Sequence, residues 1–153
     1  MRKNLLIIIL FFSSIHCFAQ SNNPQYDAQL AKKLGADEYG MKQYVMAFLK
    51  AGPNRPKDSA ARMELQKAHL QNITRLANEG KLILAGPFMD DQSIKGIFIF
   101  NVTTIEEAKQ LTETDPAIKA GSLVMELHPW YGSAALMQVV EIHKKLGKKS
   151  ITD

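Results

Sequence analysis

Apolar residues along this chain fall into blocks whose period changes from one block to the next. Tyr44-Val45-Met46-Ala47-Phe48-Leu49 is a continuous apolar run of strand length, broken by Ala51-Gly52-Pro53-Asn54. The next block has helical period: Leu65, His69, Ile73 and Leu76 share one face of a helix predicted over residues 59–79. Asp58 and Ser59 are candidate N-caps, and Gly80 fits the position just past the end. A second strand, Leu82-Ile83-Leu84-Ala85, stops at Gly86-Pro87. After the loop Phe88-Met89-Asp90-Asp91-Gln92-Ser93 comes a third strand over 96–102, apolar at both alternating sets of positions, as in a central strand covered on both faces. Thr104-Ile105-Glu106-Glu107 is a capping box that opens a second helix with Ile105, Ala108 and Leu111 inward. Asp115-Pro116 ends that helix, because a residue before proline avoids the helical region. A fourth strand is predicted over 123–127, closed by His128-Pro129-Trp130-Tyr131-Gly132, and a final helix over 134–146.

The order strand, helix, strand, strand, helix, strand, with right-handed crossovers, is that of a ferredoxin-like α+β domain. Its helices cover one face of a four-stranded antiparallel sheet. The first and third strands are apolar enough to need cover on the opposite face as well. A second copy packed sheet to sheet would supply it, so a homodimer is expected.

The ends of the chain change the picture. Arg2 and Lys3 precede an apolar run, Leu5 to Phe12, and then a stretch ending Cys17-Phe18-Ala19. This is the layout of a secretory signal peptide cut after Ala19, and the run is too short for a stable membrane anchor. The organisation expected is a signal peptide at 1–19, a polar leader at 20–41 with a short helical turn near Asp27 to Leu34, a domain at 42–132, and a C-terminal helix with a basic tail at 133–153. Residues 20–153 carry 17 basic and 15 acidic side chains, a formal charge of +2. That asks for neither nucleic acid nor an anionic membrane surface. The single cysteine leaves with the signal, so export exposes the domain to no disulfide chemistry.

Candidate chemistry centres on His69, which puts an ionisable imidazole on an apolar helical stripe. Such a histidine is either a core residue with both nitrogens hydrogen-bonded or a group whose pKa is tuned for proton transfer. Asp115 has a local role as a helix stop. Asp90 and Asp91 sit in a polar loop, and Trp130 either lines a pocket or caps the edge of the core. His143 lies in a run, HKKLGKK, that has the look of a solvated tail. No close pair of histidines has metal-ligand spacing, and GxGxxG, Walker and GxSxG signatures are missing. Neither a metal nor an organic cofactor is expected.

Taken together, four pieces resemble the YciI-like (YCII-related) domain family over about residues 41–130. They are the strand QYVMAFLK, the helix segment KAHLQNITRLANEGKL, the strand and turn LILAGPFMDD, and DPAIKAG followed by LVMELHPW. The leader KKLGADEYGMKQY and the tail WYGSAAL look like a secreted subgroup. The resemblance implies a dimeric α+β barrel and a histidine–aspartate pair proposed as an active site. His69 matches the histidine, Asp115 the aspartate of the DP motif, and Asp90 a less regular acidic position. Many members carry an arginine just ahead of the histidine, where this chain has Gln66 and Lys67. The family is similar to muconolactone isomerase-like proteins, which handle small cyclic or aromatic-derived acids. The family's activities are mostly unassigned, so the resemblance names no reaction; the inward histidine and the matched aspartate lead to the expectation of a cofactor-independent isomerase or lyase in which Asp115 orients His69 and His69 moves a proton. The alternatives are a non-catalytic module that binds a small ligand, and a dimerisation domain in which His69 is structural.

Overall fold

The computed structural model describes residues 23–151. The expected signal peptide lies outside the described residues. The first element is a helix, α1 (Ala28–Leu34), capped by Asp27, whose side chain accepts from the backbone N–H groups of Gln29 and Leu30. Gly35 ends it in the left-handed conformation, φ 70°. The leader is thus ordered up to the sheet. Asp37 accepts hydrogen bonds from the N–H groups of Tyr39 and Met41 and from the Tyr131 hydroxyl, which pins the leader to the start of the first strand and to the last.

Four strands follow: β1 (Met41–Ala51), β2 (Leu82–Pro87), β3 (Ile94–Phe100) and β4 (Leu123–Ser133). They form one sheet in the order β2-β3-β1-β4, with every neighbouring pair antiparallel. The βαβ unit that opens at β1 has β3 inserted between its strands, as the ferredoxin-like topology requires. Helix α2 (Ser59–Asn78) makes the first crossover; α3 (Ile105–Thr112) and the single turn α4 (Pro116–Lys119) make the second.

Local chemistry accounts for the helix ends. Asp58 caps α2 by accepting from Ala61 N–H at 2.8 Å. Thr104 caps α3: Glu107 N–H donates to its hydroxyl, and that hydroxyl donates to the Glu107 carboxylate at 2.9 Å. Asp115-Pro116 both ends one helical segment and begins another, because proline is well suited to the first position of α4.

Three strands, β1, β2 and β4, are longer than the apolar pattern predicts, and β2 runs through the expected stop at Gly86-Pro87. β4 runs through His128-Pro129-Trp130-Tyr131-Gly132 to Ser133, because β1 begins at Met41 and offers a partner at every position, from Met41 with Ser133 to Ala51 with Leu123. Pro129 is accommodated because β4 is an edge strand, where proline need not break a ladder. The C-terminal helix is also divided: a 3-10 turn at Ala134–Gln138 precedes α5 (Val139–Leu146).

The sheet has two unlike faces. Val45, Ala47, Leu49, Phe98 and Phe100 pack with Leu76 and Ala108 beneath α2 and α3, and this is the main core. Tyr44, Ile83 and Ile99 form a smaller cluster on the other face, covered by Trp130, Leu136, Met137 and Val139. The chain's own C-terminal segment therefore covers part of the face for which the sequence pattern demanded a partner. Phe48 on that face remains half-buried, and Val124 is 43% exposed. Where β1 leads into the first crossover, Gly52 passes so close to Gly121 that a Cβ would lie 2.1 Å from the Gly121 carbonyl oxygen. The Gly52 N–H donates to Ser122 O at 2.9 Å, which joins that loop to the start of β4. None of the described helices is long and apolar enough to cross a membrane.

Candidate functional site

His69 and Asp115, 46 residues apart, meet between α2 and the α3–α4 corner. His69 Nδ1 lies 2.7 Å from Asp115 Oδ2. His69 is 6% exposed and Asp115 1%. Both sit on the helix-covered side of the sheet, where the imidazole stacks on Phe98 with centroids 5.9 Å apart and planes 15° from parallel.

Each oxygen of Asp115 is committed. Oδ1 accepts the Ala117 N–H at 2.8 Å as the cap of α4, and Oδ2 faces the imidazole. A carboxylate removed from water must be hydrogen-bonded, and these two contacts meet that need. The acceptor role of the carboxylate assigns the proton to His69 Nδ1, which then donates. Nε2 is left as the second functional atom. Among the described residues it has no hydrogen-bond partner, and it is not among the polar atoms sealed without one. The local function of Asp115 as a helix breaker and its contact with His69 are thus two uses of one side chain.

A polar strut fixes the same two elements to each other. Arg75 Nη2 donates to Asn72 Oδ1 at 2.8 Å and to Thr114 Oγ1 at 2.9 Å. Its Nη1 reaches the Glu79 carboxylate at 2.8 and 3.0 Å. Asn72 lies one turn beyond His69 on α2, and Thr114 immediately precedes Asp115. Sequence reasoning passed over this strut, although Asn72 lies at i+3 from His69 on the same inward stripe.

The remaining sequence candidates stand apart from the dyad. Asp90 is exposed in the β2–β3 loop, and its carboxylate does no more than accept a long bond from Gln92 N–H. Trp130 lies on the opposite face, with its ring 5.8 Å from that of Tyr44 and folded over Gly132. It covers the edge of the smaller core cluster. A second histidine–carboxylate pair accompanies it on that face: His128 Nε2 lies 2.8 Å from Glu126 Oε1. Lys50, and then His128, hold the Glu126 carboxyl below its ordinary pKa.

The nearest large cleft, about 1100 Å³, lies beside α2, the 52–58 loop and α4. Leu65, Gln66, Leu70, Ala117 and Ser122 line it, together with Arg55, Arg62 and Lys67. The dyad side chains do not line it; their chain neighbours do. Among the described residues, none of these three cations is in an ion pair. No group of three or more His, Cys, Asp or Glu side chains among the described residues is placed to hold a metal ion.

Comparison with known proteins gives three findings. No curated protein matches the chain. A solved structure of 5-chloro-2-hydroxyhydroquinone dehydrochlorinase from Burkholderia phenoliruptrix AC1100, in complex with 2,5-dihydroxybenzoquinone, is similar to it at 23% identity and a TM-score of 0.41. That similarity covers 56% of this chain and 92% of the other. Residues 46–131 match the YCII-related domain, a span from the middle of β1 through most of β4 that takes in both members of the dyad, and the chain therefore belongs to the YCII-related domain family.

Proposed function

We propose that this protein is a cofactor-independent proton-transfer enzyme, of isomerase or lyase type, acting on a small organic acid. One observation carries the proposal: a buried imidazole whose Nδ1 is held by a buried carboxylate at 2.7 Å while its Nε2 has no protein partner. In the mechanism, Asp115 accepts the Nδ1–H bond, fixes the tautomer and steadies the imidazolium that forms. His69 Nε2 takes a proton from the substrate and returns it at a second atom, so no net charge is left on the enzyme. Arg55, Arg62 and Lys67, which form no ion pair among the described residues, line the cleft beside the dyad's helix and support an acidic substrate, because positive charge along a cleft raises the local concentration of an anion. They also offer a positive charge in a chain that has Gln66 and Lys67 where many relatives have arginine.

The test is turnover against a panel of enolisable hydroxy acids and lactones. His69→Ala should keep the fold and lose activity. Unchanged turnover in that variant would defeat the proposal. A ligand that binds but is recovered unaltered after long incubation would replace it with a binding function. The dyad geometry has its own test in ¹⁵N NMR of the ring nitrogens. The wild type should show the Nδ1–H tautomer. Asp115→Asn should show Nε2–H, since the asparagine amide would donate where the carboxylate accepted.

Two further parts of the proposal concern context. Export through the segment 1–19, as in a secreted subgroup of the family, is supported by its basic start, apolar run and small residues before the cut. A homodimer joined through the sheet face that the C-terminal segment leaves open is supported by half-buried Phe48 and exposed Val124. Sedimentation of residues 20–153 tests the dimer, and Phe48→Lys should shift it to monomer.

A further inference from the structure

Asn72 is 7% exposed, and its side-chain Nδ2 is a buried donor with no acceptor. The orientation of the amide is set by its neighbour. Arginine can only donate, so the atom facing Arg75 Nη2 at 2.8 Å must be the oxygen. A flip of the amide would bring two donors together, so it does not relieve the orphan. Arg75 alone decides the orientation: the Thr114 hydroxyl lies 3.2 Å from the same oxygen, but its one proton has a shorter path to Leu111 O at 2.7 Å. Leaving such a donor unpaired inside a protein is costly, and an apolar side chain at this position would avoid the cost. The orphan therefore points to an acceptor that arrives from outside the chain.

Its place limits what that acceptor is. Asn72 lies one turn past His69 on the inward face of α2, and Arg75 ties it to Thr114, the residue before Asp115. We infer that Asn72 Nδ2 is a substrate-binding donor, which pairs with a carbonyl, carboxylate or phenolate oxygen of the molecule whose proton His69 moves. This rests on the function proposed above and adds to it a second contact, one that holds the oxygen end of the substrate in register with the imidazole. Because Nδ2 is sealed in the free protein, binding must displace the side chains that cover it.

The experiment is a titration of ¹⁵N-labelled residues 20–153 with 2-hydroxybenzoate, an aromatic hydroxy acid of the proposed class. The Asn72 side-chain NH₂ pair and the His69 ring signals should move together, with one apparent Kd. Asn72→Asp keeps an oxygen toward Arg75 but replaces the donor by an acceptor, and should weaken binding about tenfold or more. If the His69 signals move and the Asn72 pair does not, this inference fails while the proposed function stands. It fails in the same way if Asn72→Asp binds as well as wild type, or if the NH₂ pair shows contact with one long-lived water in the free and bound protein alike. If neither residue responds to the acid, the site itself is wrong and the inference falls with it. The wild-type titration decides the matter even if the variant fails to fold.

Discussion

Among the described residues, two histidine–carboxylate pairs of nearly equal length lie on opposite faces of one sheet, and their surroundings could hardly differ more. His69 and Asp115 are 2.7 Å apart, buried, and joined across 46 residues of chain. His128 and Glu126 are 2.8 Å apart, both about half exposed, and two residues apart on edge strand β4. In the first pair every oxygen of the acid has a partner that restrains it, including the backbone N–H at the start of α4. In the second, Glu126 is shared with Lys50 and stands in water that screens both contacts. Distance alone would rank the two pairs as equals. Burial and restraint of the acid are what single out the first as a candidate for chemistry.

Activity should separate the pairs most sharply. His69→Ala should lower kcat by about 10²- to 10⁴-fold, the range of a lost general acid or base, while His128→Ala leaves kcat in place. Next comes stability. Asp115→Ala removes one partner of a buried pair together with a helix cap, and chemical denaturation should show a loss of about 3 kcal/mol or more. Glu126→Ala should leave the same transition unmoved. A weaker response belongs to the capping box outside both pairs: Thr104→Ala should lower stability by about 1 kcal/mol in the same assay.

The mildest change is one of titration, and it adds a third exposed contact to the contrast. Tyr131 is pushed up to about 12 by the carboxylate of Asp37, which accepts its hydroxyl proton. That phenol is neutral while the contact lasts. The contribution of the contact to folding is therefore whole below the ordinary tyrosine value and fades as pH rises through about 12. Asp37 is held below its usual range by Tyr131 first and the Met41 N–H second, so its share is present at neutral pH and fades as pH falls through the lowered value. Burial also pushes the Tyr44 phenol up, so absorbance near 295 nm should show late-titrating tyrosine in which only the Tyr131 component moves back toward its ordinary value in Asp37→Asn.

Much of the helix-covered face was legible in the residues. The stripe Leu65, His69, Ile73, Leu76 carries a sustained helical period, and Thr104 with Glu107 marks a helix start by hydrogen-bond chemistry alone. The opposite face was less legible. β4 runs to Ser133 because β1 offers it a partner, a fact of pairing that no local pattern contains. The 3-10 turn at Ala134–Gln138 is a short apolar stretch without a clear period, and its return beneath the sheet is decided by the cluster it covers. The dyad was half legible: the inward histidine follows from spacing, while its meeting with Asp115 depends on how α4 packs against α2. The contact from Arg75 through Asn72 to Thr114 depends on that same packing.

The way β1 begins bears on how the domain can be cut. The family match starts at Met46 and stops at Tyr131, but Tyr44 and Val45 are among the most buried side chains, and the Tyr44 hydroxyl donates to Ser133 O at 3.1 Å. A fragment trimmed to the matched span would lose both side chains and the segment that shields Ile83 and Ile99. The part of the chain that relatives hold in common is smaller than the part that folds as a unit.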